Sequence, residues 1–320
     1  MNKEGKIYKI LKEEYIKILK KKNLRGKYKI EDRNKNYEKL CIIIAGYKPY
    51  LYDVVFERIE RFAPKDIDMC ILSSGRYDER LSKIAEKNDW SYISSKRNCV
   101  SLIQNIAINH FKNAKYIYKL DEDIFVTEGY FETMWKTYEE CNKNGDYKVG
   151  FVAPTIPING YGNVKILQRF NLIECYTSKF EKPLFAAGSD RKIESDSDVA
   201  KFMWGHENFL PSIDQINKVL SSDEFSYDAC PIRFSIGAIL FTRKLWEEMR
   251  YFNVRHGTCL GLDEEQICSF CVNNSEAIIV SNNTAVGHLA FGKQNEEMKK
   301  YFIKNIDKFK INRNGKWKNP

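Results

Sequence analysis

Between Leu40 and Asp123, short apolar runs alternate with stretches of helical spacing, and this alternation constrains the fold more than any other feature of the chain. The run Leu40-Cys41-Ile42-Ile43-Ile44-Ala45-Gly46 is too short for a helix, ends in glycine and is followed by Tyr47-Lys48-Pro49. It reads as a buried strand and its turn. Residues 50–62 then carry apolar side chains at helical spacing, 67–72 form a second apolar run, and Ser73-Ser74-Gly75 is its exit turn. Residues 80–88 read as helix, 90–94 as a third strand, and 101–112 as a helix offering Leu102, Ile103, Ile106 and Ile108 to a sheet. Tyr116-Ile117-Tyr118-Lys119-Leu120, rich in aromatic and branched residues, is the fourth strand. Strands connected through helices pair in parallel. The expected fold class is therefore α/β, with a Rossmann-like, mostly parallel central sheet flanked by helices.

The fourth strand opens into Asp121-Glu122-Asp123. Two carboxylates two residues apart leave a strand on the same side of the chain. Oxygen donors in an open geometry suit Mg²⁺ or Mn²⁺ and leave coordination sites for phosphate oxygens. Taken alone, the same three residues describe an acidic turn in solvent equally well.

Beyond residue 123 the alternation lapses. Residues 149–154 read as strand, 154–162 as a loop rich in Pro, Gly and Asn, and 188–222 as polar and mixed, with Trp204, His206 and Phe209 embedded. Residues 232–242 read as a strand containing Gly237-Ala238, 245–252 and 263–272 as helices, 277–280 as a strand, and 284–289 ends near His288. At the N-terminus, Ile7, Ile10, Leu11, Tyr15, Ile18 and Leu19 recur at helical spacing among lysines, and 22–38 reads as a polar linker. In the tail, Met298, Tyr301, Phe302, Ile306 and Phe309 do the same.

The net charge of +9 sits at these ends: residues 1–40 hold 14 Lys/Arg against 6 Asp/Glu, and residues 293–320 hold 9 against 3, so the body between them is acidic. A nucleic-acid-binding core would carry the basic stripe on itself, so nucleic acid is not an expected partner. A basic amphipathic helix suits an anionic membrane surface, or else packs on the domain with a solvated lysine face. No apolar run approaches the ~20 residues that span a bilayer, and the lysine-rich start has no apolar core with a small-residue cleavage site. Nine cysteines without framework spacing fit reduced thiols. The expected location is cytoplasmic, with peripheral attachment to the inner face of the cell membrane.

In order and spacing, four pieces of the chain resemble the GT-A glycosyltransferases, and among them the large bacterial inverting family: Ile42-Ile43-Ile44-Ala45-Gly46-Tyr47; Asn98 through Gln104-Asn105 leading to Asp121-Glu122-Asp123; Gly237-Ala238 before Phe241-Thr242-Arg243; and Asp263-Glu264-Glu265-Gln266-Ile267-Cys268 followed by Gly287-His288. The resemblance implies a catalytic domain over 39–292, with a nucleotide-binding half (39–123) and an acceptor half (124–292). The basic helical extension and linker (1–38) and a basic helical tail (293–320) lie outside it. It implies a nucleotide-sugar donor, first of all a UDP-sugar, with Mn²⁺ or Mg²⁺, and a hydroxyl acceptor on a cell-surface glycan or its lipid-linked precursor. Asp123 would bind the metal directly and Asp121 would face the donor ribose or reach the metal through water. His288 would complete the metal site. Ala45, Tyr47, Ser74 and Arg97 would contact the nucleotide, with Tyr47 against the base. Gly237, Ala238 and Trp204 would line the acceptor side. Glu264 or Asp263 would be the base that takes the acceptor proton, as a single displacement at the anomeric carbon requires.

Two departures stand out. Ser73-Ser74-Gly75-Arg76 lies where many members carry an Asp-Asp-Gly-Ser turn that reads uracil, and Gln104-Asn105 lies where Arg-Asn is common. A sugar nucleotidyltransferase would share the metal but need a glycine-rich loop after the first strand, where this chain has only Ala45-Gly46-Tyr47-Lys48. A non-enzymatic membrane-surface protein would rest on the basic ends alone.

Overall fold

The computed structural model describes residues 3–255 and 261–311, with side chains from residue 11 onward. The chain forms two compact units that interleave along the sequence. The first comprises Met1–Gly46, Asp66–Tyr118 and Phe241–Phe270, and the second Tyr47–Lys65, Lys119–Leu240 and Cys271–Pro320.

The strands are β1 (Tyr28–Glu31), β2 (Lys39–Ile44), β3 (Asp68–Ser74), β4 (Ser91–Ser95), β5 (Tyr116–Asp121), β6 (Ile124–Phe125), β7 (Val149–Thr155), β8 (Tyr227–Ala229), β9 (Ala238–Thr242), β10 (Ala277–Ala285) and β11 (Gly287–His288). In the first unit the order is β1-β4-β3-β2-β5. β2 and β3 run parallel with Ile43 opposite Ile71, and β3 and β4 run parallel with Leu72 opposite Ile93. All seven residues of β3 are buried, as a strand covered on both faces requires. Helix Val100–His110 buries Leu102, Ile103, Ile106 and Ile108, as its spacing predicts, and also Ser101, Gln104, Asn105 and Ala107, so it is covered on all sides. Helix Glu79–Lys87 starts at Asp78, whose carboxylate accepts from the Arg80 and Leu81 N–H groups. β1, antiparallel to β4, falls inside the stretch read as linker. A polar tetrapeptide makes an adequate edge strand, because one of its faces stays in water.

In the second unit the order is β5-β9-β7-β10-β8, with β7 and β10 parallel and β8 antiparallel at the edge. β10 runs five residues beyond the apolar stretch 277–280. Its polar end is tolerated because the buried Ser281, Asn283 and Thr284 have partners. Ser281 Oγ lies 3.0 Å from Thr137 Oγ1, Thr284 Oγ1 donates to Asn217 Oδ1, and Asn283 Nδ2 donates to the carbonyls of Leu220, Asp223 and Glu224. β9 is shorter than the 232–242 reading. Helix Tyr130–Asn144, which the sequence reading passed over, lies between Gly129 and Gly145, both left-handed.

The tail is less free than its composition suggests. Helix Asn295–Lys304 and the turn after it bury Met298, Tyr301, Phe302 and Phe309 in the second unit; residues 312–320 lie outside the described residues. Helix Lys3–Asn23 forms as its spacing predicts, although the side chains of Ile7 and Ile10 lie outside the description. No helix among the described residues is long and apolar enough to cross a membrane.

Candidate active site

In the second unit, β5 ends at Asp121, and Glu122-Asp123 turn the chain straight into β6. β6 pairs with β11 so that Ile124 faces His288, and the Leu289 N–H donates to the Asp123 carbonyl at 3.0 Å. This two-stranded ribbon brings residues 165 positions apart to the same spot. His288 Nε2 lies 3.4 Å from Asp123 Oδ2, and Lys48 Nζ lies 2.5 Å from that same oxygen. Asp123 is 4% exposed and His288 8%. Burial pushes the Asp123 carboxyl up, but the charges of His288 and Lys48 and their hydrogen bonds outweigh it and hold the group well below the usual carboxylate range. The carboxylate is therefore ionised at any ordinary pH.

Glu122, between the two aspartates, points the other way. Both its oxygens accept from the Tyr47 N–H at 3.1 Å, fixing the turn that carries Lys48. Tyr47 is 54% exposed. Asp121 does not join Asp123 and His288: among the described residues no group of three such side chains could hold a metal. Its Oδ1 instead accepts from Lys119 Nζ at 2.6 Å, and that 2%-exposed ammonium also donates to the Ile236 carbonyl. Asp121 is thus held beside Asp123 and His288 and not against them, in keeping with the expected ribose contact or water-mediated reach instead of direct ligation. Lys119 and Asp121 lie two apart on one strand and share a face, so their pairing was open to sequence reasoning. No local signal marked Lys48.

The remaining pair, an aspartate and an imidazole, fits a divalent cation that keeps open positions. Such ions are commonly held by one or two carboxylates plus substrate phosphates. The imidazole favours Mn²⁺ over the strictly oxygen-seeking Mg²⁺.

Gly237 and Ala238 lie where β9 begins, next to Asp121. The Asp121 N–H donates to the Gly237 carbonyl at 2.8 Å, and a Cβ on Gly237 would lie 3.4 Å from Asp121 Oδ2. Ala238 is fully buried. Trp204, expected on the acceptor side, lies beneath the β6–β11 ribbon. The residue is 7% exposed, its indole N–H donates to the carbonyls of His288 and Leu289, and its ring packs 5.2 Å from Phe125 and 4.6 Å from Phe309. A Cβ on Gly287 would fall 2.2 Å from this indole. Trp204 is the prop beneath the His288 ribbon, and Gly287 is the residue that lets the ribbon lie on it. Glu194, unnoticed in the sequence, is 7% exposed in the same unit, where burial pushes its carboxyl up against the pull of the Gly188 N–H and the charges of Arg233 and His288.

The other candidates belong to the first unit. Ala45 follows β2 and is buried, its N–H donating to the Leu72 carbonyl. Ser74 Oγ accepts from the Cys99 N–H at 2.6 Å and donates to the Arg97 carbonyl, bracing the turn between β3 and the loop after β4. The Arg97 guanidinium donates to the Arg255 carbonyl. Asp263 and Glu264 open helix Leu262–Asn273. Asp263 is 5% exposed and accepts from Gln104 Nε2 at 2.8 Å, while Glu264 is half-buried. Gln104 thereby acquires a role, and its neighbour Asn105 acquires a different one. The Asn105 amide donates to the Asn23 and Phe252 carbonyls, and its oxygen accepts from Trp246 Nε1 and the Phe252 N–H.

No family model and no curated protein matches this chain. Among solved structures it is similar to GalNAc-T7 with UDP, GalNAc and Mn²⁺ (TM-score 0.47, 12% identity, 80% of this chain and 44% of that one). It is also similar to the mannosyltransferase PcManGT from Pyrobaculum calidifontis in complex with GDP-Man and Mn²⁺ (TM-score 0.47, 14% identity, 95% of this chain and 72% of that one). This chain thus spans less than half the length of the first.

Proposed function

We propose that the chain is a metal-dependent glycosyltransferase that moves a sugar from a nucleotide-diphosphate donor to a hydroxyl of a cell-surface glycan or its lipid-linked precursor, with inversion. The observation that carries this reading is the buried, ionised Asp123 converging with His288 at the mouth of a strand–turn, with Asp121 and the Gly237 backbone alongside. Asp123 and His288 would hold Mn²⁺, which when bound neutralises charge developing on the departing diphosphate. The exposed Tyr47 ring covers the base. Asp121, oriented by Lys119, accepts from the donor ribose. Gly237 keeps the chain close enough for the sugar to approach. Gln104 holds Asp263 in place at the helix start, and Glu264 is the carboxylate that takes the acceptor proton. We assign the exposed Lys12, Lys17, Lys20, Lys21 and Lys22 of helix Lys3–Asn23 to an anionic membrane surface, where a lipid-linked acceptor resides.

The test is a thermal melt against UDP, GDP, CMP, dTDP and ADP, each with and without Mn²⁺. A ligand at about 100 times its Kd adds about 2.7 kcal/mol and moves the midpoint by several degrees. One nucleotide is expected to shift the wild type only with Mn²⁺ and to leave Asp123→Asn unmoved. A folded protein that no nucleotide shifts would refute the donor site and favour a surface-binding role.

A further inference from the structure

We propose that Lys48 is the resident counter-ion of the metal site: its ammonium neutralises Asp123 in the metal-free protein and must leave that oxygen before a divalent cation can bind. The inference rests on the metal-site reading above and adds to it a residue that no part of that reading requires.

Asp123 is almost completely buried, and a buried carboxylate without a cation is costly. Lys48 Nζ meets that need at 2.5 Å from Oδ2 and is steadied by Asn295 Oδ1 at 3.2 Å, contributed by the first residue of helix Asn295–Lys304. The backbone carrying Lys48 is itself fixed. Glu122 holds the Tyr47 N–H, and the Lys48 carbonyl accepts from the Leu51 N–H at 2.9 Å. A sequence neighbour of Asp123 therefore holds the turn that delivers the ammonium to Asp123.

The oxygen that takes the ammonium is also the one facing His288 Nε2. A divalent cation held by both groups would take the same Asp123 oxygen as the ammonium and be repelled by it. The two cations are alternatives. Exchange is feasible because the Lys48 side chain is 21% exposed and has four rotatable bonds, so the ammonium can swing outward without unfolding the turn. Once displaced it is an unpaired cation beside the metal, a position that a diphosphate would fill. Metal binding to the free protein is weakened by the cost of displacing Lys48, and binding of an anionic donor recovers that cost.

The test is Mn²⁺ alone, titrated into the full chain and followed by the electron paramagnetic resonance of the free ion, for wild type, Lys48→Met, Lys48→Arg and Asp123→Asn. Lys48→Met is expected to bind Mn²⁺ at least about tenfold more tightly than wild type, because the competing ion is gone. Lys48→Arg keeps the charge and is expected to stay near wild type, and Asp123→Asn to bind none. Should Lys48→Met fail to melt cooperatively, Lys48→Gln carries the same expectation. Binding that needs Asp123 yet is unchanged or weaker in Lys48→Met overturns the counter-ion role and leaves the metal site standing. Absence of Asp123-dependent binding in both wild type and Lys48→Met overturns the two together.

Discussion

Single buried charges organise the candidate site, and each is compensated by a named neighbour. Asp123 is balanced by Lys48 and His288, Lys119 by Asp121, and Asp263 is held through a neutral amide, Gln104. Glu194 is the exception. It is buried and accepts from the Gly188 N–H, but burial dominates and its carboxyl stays above the usual range. A carboxyl raised in the folded state costs stability once pH exceeds the unfolded value of about 4.3, and the cost is full above the folded value. Glu194→Gln keeps an oxygen for Gly188 and removes the charge. It is expected to raise the melting temperature by about 2 °C or more at pH 8 and to leave it unchanged at pH 4. An equal effect at both pH values would mean that the charge is not the cause.

Among the elements, the shortest and the most exposed matter most. β6 and β11 are two residues each, yet their pairing alone aligns His288 with Asp123, and Trp204 supports them from below. Nothing in Ile124-Phe125 or Gly287-His288 signals a strand, because two residues carry no periodicity. Helix Lys3–Asn23 is the opposite case, legible from spacing alone. Its C-terminal end is anchored in the first unit, where Asn23 donates to the Arg250 carbonyl and accepts from the Val254 N–H and the Asn105 amide. Above that anchor Leu11, Tyr15 and Ile18 stand 64%, 51% and 63% exposed at positions i, i+4 and i+7, among Lys12, Lys17, Lys20, Lys21 and Lys22. An exposed apolar stripe edged with lysines fits an anionic interface, each lysine contributing about 1 kcal/mol at low salt. Deleting residues 1–22 is expected to abolish co-sedimentation with vesicles containing phosphatidylserine, and high salt to weaken it in the full chain. Equal sedimentation of the truncated protein would exclude the helix as the anchor.

At the scale of the whole molecule, long-range contacts tie Phe309 and Lys310 to the elements beneath the site. Arg58 is fully buried. Its guanidinium pairs with both oxygens of Asp214 and donates to the carbonyls of Val126, Phe309 and Lys310. Phe309, held there, packs on Trp204, Phe125 and Phe302. The tail that composition marks as a basic appendage is therefore part of the second unit as far as Lys310. Arg58→Leu leaves a carboxylate and three carbonyls without their donor, and such breaks in buried pairs cost about 3–5 kcal/mol. A urea midpoint lowered by the corresponding amount is expected, and an unchanged one would show that water replaces the guanidinium without penalty.

The sequence alone determined the elements whose physics is local. Four buried strands from Leu40 to Asp121, the helices between them, the amphipathic N-terminal helix and the position of Asp123 at a strand exit all follow from apolar runs and spacing that fold the same way wherever the chain leads. Only the tertiary structure decided which charges meet. Lys48 reaches Asp123 across 75 residues, Arg58 reaches Phe309 across 251, and Trp204 turns inward to carry His288. Periodicity records which face of an element is buried, but not what it is buried against. Pairings across long loops depend on the packing of the whole unit, so that is where the neighbours of Asp123, Lys48 and His288, and the indole beneath them are decided.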